Sequence, residues 1–186
     1  MIIDKPGLSS KRAKDKVSKA LTSLIEKDDF KLITITQICQ EAKISRQTFY
    51  NNFETKEDII KYYIEQLLRK YISLQDFSGP KLYSEKMFKD MPFSKKFLKM
   101  LDENDLLHFL YDALYSFVSF TESNIDVHRL LGSSEYDSYF YDYVVSACVS
   151  ILRIWTKNDF KESPETLGKM IDVFFYGLYN GRGTVY

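Results

Sequence analysis

The stretch Thr34-Ile-Thr-Gln-Ile-Cys-Gln-Glu-Ala-Lys-Ile-Ser45-Arg-Gln-Thr-Phe-Tyr-Asn-Asn-Phe53 decides the fold. Thr34 and Ser45 are of the types that cap helix N-termini, and only a short turn separates the two helices that they start. Phe49 and Phe53 lie four positions apart and therefore point inward together. The stretch predicts two short helices joined by a tight turn, the second with one anchored face and one polar face.

Helix signals continue on both sides of this stretch. Apolar residues recur at helical spacing from about Ser10 to Lys27, which predicts a first amphipathic helix. Gln37 lies three positions after Thr34 and completes a capping box. Thr55, with Asp58 three positions on, predicts the start of a fourth helix.

The rest of the chain also has the periodicity of helices. We predict further helices near 83–89, 94–101, 104–122, 125–131, 134–156 and 163–180. The Gly79-Pro80 pair breaks the pattern and separates a head from a body. The expected fold is therefore all-α with about nine helices. An N-terminal helix-turn-helix head covers residues 1–73, with the linking fourth helix, and a helical bundle covers residues 74–186.

Composition limits the functional classes. The chain has 186 residues, of which 45% are apolar and 28% charged, as in an ordinary globular protein. No apolar run is long enough to cross a bilayer and the N-terminus lacks the apolar core of a signal peptide, so we expect a cytoplasmic protein with no membrane contact. The two cysteines, Cys39 and Cys148, are far apart and predict free thiols. We expect no metal, no cofactor and no enzymatic activity, because the ligand clusters and catalytic motifs are missing.

The net charge of zero hides an asymmetry. Residues 1–70 hold 14 Lys and Arg against 10 Asp and Glu, whereas the remaining residues hold 12 against 16. A basic head on an acidic body is typical of a protein that presents one end to a polyanion. Chance scatter of solvated charges would also produce an offset of this size.

The exposed face of the helix after Ser45 has the chemistry of a DNA-reading helix. Arg can bind guanine O6 and N7, Gln and Asn can bind adenine N6 and N7, and a Thr methyl can contact thymine in the major groove. A plain surface helix usually carries Lys and Glu instead. The alternative is that these are ordinary capped helices of a bundle.

Contacts to the DNA backbone are expected from other positions. Thr34 and Thr36 begin the second helix and can offer hydroxyl and amide groups to a phosphate. Lys56 lies in the first turn of the fourth helix, where its charge opposes the helix dipole unless an anion binds there. The basic cluster Lys11–Lys19 is a further candidate.

Residues 33–68 resemble the DNA-binding domain of the tetracycline-repressor (TetR) family. The matching elements are Thr34-Ile-x-x-Ile38, Ala42, Ile44-Ser45, Thr48-Phe49-Tyr50, Phe53 and Lys56-Glu-x-Ile59. The resemblance implies an all-helical homodimer that binds a palindromic double-stranded DNA operator and a body that senses a small molecule. With the residues argued above, it gives the predicted DNA-contacting set Thr34, Thr36, Ser45, Arg46, Gln47, Thr48, Tyr50, Asn51 and Lys56.

One position departs from the family pattern. Lys43 stands where the family most often has Gly, in a turn residue that tends to adopt positive φ. Such a conformation costs a non-Gly residue roughly 1 kcal/mol.

The body is rich in aromatic residues, since 23 of the 29 Phe, Tyr and Trp follow residue 70. Aromatics suit an apolar ligand pocket, although the simpler interpretation of any single one is a place in the core or in a dimer surface. The predicted pocket residues are Phe109, Tyr115, Phe117, Tyr139, Tyr143 and Phe174. The apolar stripes of the last two helices predict the dimer interface, formed by Val145, Cys148, Leu152, Trp155, Ile171, Phe175 and Leu178.

These observations together predict a DNA-binding transcriptional regulator, a repressor released from its operator by an unidentified small-molecule effector. The alternative is a co-activator or adaptor whose body docks a protein partner. Residues 155–167 resemble a TetR branch that includes the dihydroxyacetone-kinase regulators, one of which takes its signal from a protein. An exposed apolar patch without an enclosed cavity would favour this alternative.

Overall fold

The computed structural model describes residues 6–73, 88–120 and 134–173. These residues form eight α-helices and two short 3₁₀ helices, and no strand occurs among them, so the predicted all-α class is confirmed. The helices are α1 (Pro6–Ile25), α2 (Ile35–Ala42), α3 (Arg46–Tyr50), α4 (Lys56–Ser73), α5 (Lys95–Glu103), α6 (Leu107–Phe120), α7 (Asp137–Lys157) and α8 (Pro164–Asp172). The 3₁₀ helices are η1 (Phe30–Leu32) and η2 (Ser134–Tyr136).

The chain divides into two compact units. Unit 1 consists of Met1–Leu68 and Ser94–Ala113, and unit 2 of Arg69–Phe93 and Leu114–Tyr186. Unit 1 therefore holds α1 to α3, most of α4, α5 and the first half of α6. The sequence-based division at residues 73 and 74 stays a prediction.

The core of unit 1 is built from the apolar stripes of its helices. Val17, Leu21 and Ile25 recur along one face of α1 and are almost completely buried. They share this core with Ile38 of α2 and with buried isoleucines of α4. Each such side chain contributes about 1.5–3 kcal/mol relative to an exposed one. The predicted helical spacing of these residues is therefore what folds the unit.

Side-chain caps start the helices where the sequence predicts them. The Thr34 hydroxyl accepts a hydrogen bond from the Gln37 amide, and the Gln37 side chain accepts one from the Thr34 amide, which completes the predicted capping box. Asp58 and Thr55 exchange the same pair of bonds at the start of α4. Each cap satisfies N–H groups that the first turn of a helix leaves without an intrahelical partner.

In unit 2, Trp155 of α7 lies in a buried aromatic core. The Trp155 ring makes edge contacts with Phe88 at 6.0 Å and with Phe160 at 5.0 Å between ring centroids. Its indole N–H donates a 2.9 Å hydrogen bond to the Glu162 carbonyl. A buried Trp needs such a partner because an unpaired N–H in a core costs free energy.

The stripe that we predicted as the dimer interface is largely buried within the single chain. Val145, Leu152, Trp155 and Ile171 are only 1%, 3%, 5% and 7% exposed within the single chain. These four side chains therefore have little exposed area to offer a second subunit, and their place in a dimer interface stays a prediction. Cys148 is partly buried, and Phe175 and Leu178 lie outside the described residues.

Candidate nucleic-acid interface

The inner face of α3 fixes this short helix to unit 1. Phe49 is completely buried and Phe53 is 6% exposed, with 6.0 Å between their ring centroids. Phe53 in turn makes an edge contact with Tyr62 of α4 at 5.8 Å. A five-residue helix has little stability of its own, so this aromatic contact is what holds α3 in place.

The turn between α2 and α3 has the geometry that the sequence predicts. Lys43 adopts φ 54° and ψ 49°, in the left-handed region. Its amide donates to the carbonyls of Cys39 and Gln40, and the Ile44 amide donates to the Cys39 carbonyl at 3.0 Å. The last carbonyls of α2 are thus satisfied, and the positive φ expected at this position is confirmed.

The outer edge of α3 is open to solvent. Arg46, Gln47 and Asn51 are exposed, and Tyr50 is 49% exposed. The Gln47 amide group donates a 3.0 Å hydrogen bond to the Asn51 side-chain oxygen, so the two side chains form one polar pair. This edge therefore presents the donors and acceptors that base edges in a major groove require.

The hydroxyl groups at the helix starts are already engaged. The Thr34 hydroxyl donates to the Gln37 side-chain oxygen at 2.8 Å and also accepts the Gln37 amide. The Ser45 oxygen accepts the Thr48 amide at 3.0 Å, and its hydroxyl lies 2.9 Å from that of Thr48. Both residues therefore act first as caps. Thr36 is exposed in the first turn of α2.

Lys56 does not extend freely toward solvent. Its ammonium group donates to the backbone carbonyls of Phe30 at 2.7 Å, Ile33 at 3.2 Å and Lys31 at 3.3 Å. It also lies 4.4 Å from the centre of the Phe30 ring. An ammonium has three N–H donors, and all three have acceptors within the protein. Its predicted phosphate contact stays untested, but the structure gives this side chain a different partner.

Three hydrogen bonds that the sequence did not predict surround α3, and two of them tie α1 to the end of α3 and to α4. The Ser10 hydroxyl donates to the Asn52 side-chain oxygen at 2.7 Å, and the Asn52 amide group donates to the Thr48 carbonyl at 2.8 Å. The Tyr62 hydroxyl donates to Asp15 at 2.7 Å. Burial first, and then this hydrogen bond, raise the pKa of Tyr62 to about 12. Asn is common in the turns that follow helices, so the presence of Asn52 after α3 did not by itself predict its bonds to Ser10 and Thr48.

The basic residues of α1 divide into two groups. Lys11, Arg12, Lys16 and Lys19 are exposed. The Lys14 ammonium instead lies 5.9 Å from the centre of the Phe53 ring and 5.8 Å from that of Tyr62. Lys14 therefore helps to cover the aromatic contact beneath α3.

The predicted pocket residues are divided between the two units, and their grouping into a pocket stays a prediction. Phe109 belongs to unit 1, while Tyr115 and Phe117 belong to unit 2; all three are partly buried. Tyr139 and Tyr143 are 75% and 57% exposed. These two line an open depression of about 390 Å³ on α7 together with Tyr136 and Phe140. Phe174 lies outside the described residues.

A family model described as "Transcriptional regulator C-terminal region", TetR_C_8, matches residues 82–177, more than half of the chain. The protein belongs to the TetR family of transcriptional regulators. It is therefore a regulator and not an enzyme. The family model matches the body, whereas the resemblance to the TetR family seen in the sequence lies in the head, at residues 33–68. No helix within the described parts of this TetR-family protein is long and apolar enough to span a bilayer.

Two further comparisons found similar proteins. The chain is 37% identical over 49 residues to the HTH-type dhaKLM operon transcriptional activator DhaS of Lactococcus lactis subsp. lactis (strain IL1403). That match spans 26% of this chain and 26% of the relative. The solved structure of a dihydroxyacetone kinase operon activator DhaS has a TM-score of 0.57 at 18% identity, covering 92% of this chain and 98% of that one. At this identity the structural likeness shows the fold alone.

Proposed function

We propose that this TetR-family regulator binds a palindromic double-stranded DNA operator through α3 of two identical subunits. The observation that carries the proposal is the two-sided character of α3. Its aromatic inner face is buried, and Arg46, Gln47 and Asn51 stand in solvent on the other side. Such a helix can enter a major groove without unfolding or repacking the head.

The residues of the head would have different tasks in DNA binding. Arg46, Gln47, Thr48, Tyr50 and Asn51 lie on or beside the exposed edge of α3 and would contact bases. The exposed Thr36 and the start of α2 would contact a phosphate. Thr34 and Ser45 support these contacts chiefly as caps, because their hydroxyls are already bonded within the head.

A homodimer supports this function because a symmetric operator offers two half-sites that two heads must reach. The buried stripe around Val145 and Trp155 would stabilise each subunit, and other surface would join them. Light scattering of the purified protein with and without operator DNA tests this part. A strictly monomeric protein on a palindromic duplex would contradict it.

Gln47→Ala tests the reading helix most sharply. Loss of the Gln47 side-chain amide should weaken the free energy of DNA binding by about 1–3 kcal/mol at selected base pairs, because the amide can both donate to and accept from one base. Gln40→Ala is the matched control, because Gln40 is an exposed Gln of α2 that is not on the α3 edge. Duplexes selected by wild-type protein from a random pool would be titrated by fluorescence anisotropy with each variant. Equal losses for both variants, or no duplex binding by wild type in dilute salt, would reject the proposal.

The direction of regulation has two candidates. A repressor released by a small molecule would hold its effector in the body, with Tyr139 and Tyr143 among the contacts. The second candidate is an activator or adaptor that docks a protein partner, and two observations favour it. The depression lined by these tyrosines is open and almost wholly apolar, and the named relatives are activators.

A further inference from the structure

The contacts of Lys56 link the two ends of the helix-turn-helix. The ammonium, in the first turn of α4, bonds the carbonyls of Phe30 and Lys31 in η1 and of Ile33, the residue that follows η1. We call this arrangement the Lys56 latch. The residues between its two sides, 34–55, comprise α2, the turn and α3. One side chain therefore closes the segment that contains the whole proposed reading surface.

The latch also accounts for a charge that the sequence left unexplained. A lysine in the first turn of a helix opposes the positive end of the helix dipole. Here three carbonyl oxygens surround the charge, and the Phe30 ring lies 4.4 Å away. A bound phosphate is thus not required to compensate it, and the ammonium has no further N–H to offer.

The groups on the far side of the latch are firmly placed. Phe30 is 4% and Ile33 3% exposed, so both anchor η1 in the core of unit 1. Ile33 directly precedes Thr34, the cap of α2. The latch therefore fixes where α2 begins relative to where α4 begins, and α3 lies between these two points.

We propose that Lys56 is a positioning residue for DNA binding that acts through the backbone of η1 and not as a phosphate ligand. This rests on the proposed function, because it assigns Lys56 a role in the same DNA-binding head. A positioning residue and a phosphate ligand make opposite predictions for two substitutions of Lys56. Lys56→Met removes the charge, while Lys56→Arg keeps it but replaces three converging donors with a planar fork.

The first measurement needs no DNA. We expect Lys56→Met and Lys56→Arg to speed amide hydrogen exchange at Leu32 and Ile33 at least tenfold and to lower the Tm by about 4 °C. Lys61→Met is the control, since Lys61 is an exposed lysine of the same helix. If both Lys56 variants had the same amide exchange rates and the same Tm as the wild-type protein, the proposal would be overturned. If Lys56→Met does not fold, Lys56→Arg and the exchange of its amides decide the question.

The second measurement follows duplex affinity as salt is varied. The latch predicts that both Lys56 variants bind every duplex more weakly, with the wild-type slope of log affinity against log salt. A phosphate ligand predicts a slope flatter by about one in Lys56→Met and wild-type affinity in Lys56→Arg, and that result would overturn the latch. A wild-type protein that binds no duplex rejects the proposed function, while the exchange measurement still judges the latch.

Discussion

The exposed edges of α3 and α7 differ in chemistry, although each helix buries its other face. In α3 the solvent-facing side chains are Arg46, Gln47 and Asn51, which offer directed hydrogen bonds. In α7 they include Tyr139 and Tyr143, which line an almost wholly apolar depression together with Tyr136 of η2. The residues on the buried face of a helix indicate how the chain folds, whereas those on the exposed face indicate what kind of partner the helix can bind. In the proposed function, the exposed edge of α3 would contact base edges, and that of α7 would contact an apolar ligand or protein surface.

The largest effect is expected from a substitution in the buried face of α3. Phe49→Ala should lower the free energy of unfolding by about 3–5 kcal/mol, because it empties a fully enclosed site that anchors the helix. Binding of all duplexes should fall together. Urea unfolding followed by circular dichroism measures the first effect, and anisotropy measures the second.

Tyr50→Ala is the matched control for this substitution. Tyr50 is the next residue, is 49% exposed and touches the Phe49 ring only edge-on at 5.3 Å. Its loss should cost about 1 kcal/mol or less in stability, with a base-selective effect on DNA binding. If Phe49→Ala cost no more than Tyr50→Ala, α3 would not depend on its inner face.

An intermediate effect is expected on the surface of α7. The double variant Tyr139→Ser, Tyr143→Ser should leave stability within about 0.5 kcal/mol, since exposed side chains contribute little to folding. It should also keep duplex affinity while reducing regulated transcription about tenfold, because the partner surface is lost. A reporter driven by the selected duplex measures this response.

Ile154→Ser controls for the loss of apolar surface on α7. Ile154 is 59% exposed on the same helix and is not one of the residues that line the depression. It should leave the reporter response unchanged. A response that both variants lower equally would show that the depression has no special role, and a lowered duplex affinity in the double variant would place the tyrosines in the dimer instead.

The head was more predictable from sequence than the body, for a physical reason. Thr34, Ser45 and Phe49 act through neighbours within a few residues, so their spacing alone predicts caps and an inner face. The stripe of Val145 and Trp155 also identifies an apolar face correctly. Periodicity does not reveal whether the same chain or a second subunit covers that face, and here the same chain does.

Lys56 demonstrates the same limit within the head. Its acceptors are 23 to 26 positions earlier in the chain, and they are backbone carbonyls that any residue type provides. No side-chain pattern marks such a site. The sequence therefore located the charge correctly but did not identify its partner.

The smallest effect is expected from a substitution in the turn that joins α2 and α3. Lys43 holds φ 54°, which costs a residue with a Cβ roughly 1 kcal/mol and costs Gly nothing. Lys43→Gly removes this strain but gives the unfolded chain more freedom, so stability should rise by only about 0.5 kcal/mol. Lys43→Ala keeps the Cβ, so its stability should not rise through relief of backbone strain. Because both variants lose the lysine charge, the difference between them measures the effect of backbone conformation alone. Thermal unfolding of the three proteins measures the difference, and duplex affinity should stay at the wild-type value in Lys43→Gly. A clear drop in Tm for Lys43→Gly would mean that the left-handed turn is not strained in this protein, and that the lysine side chain stabilises the head through its charge or packing.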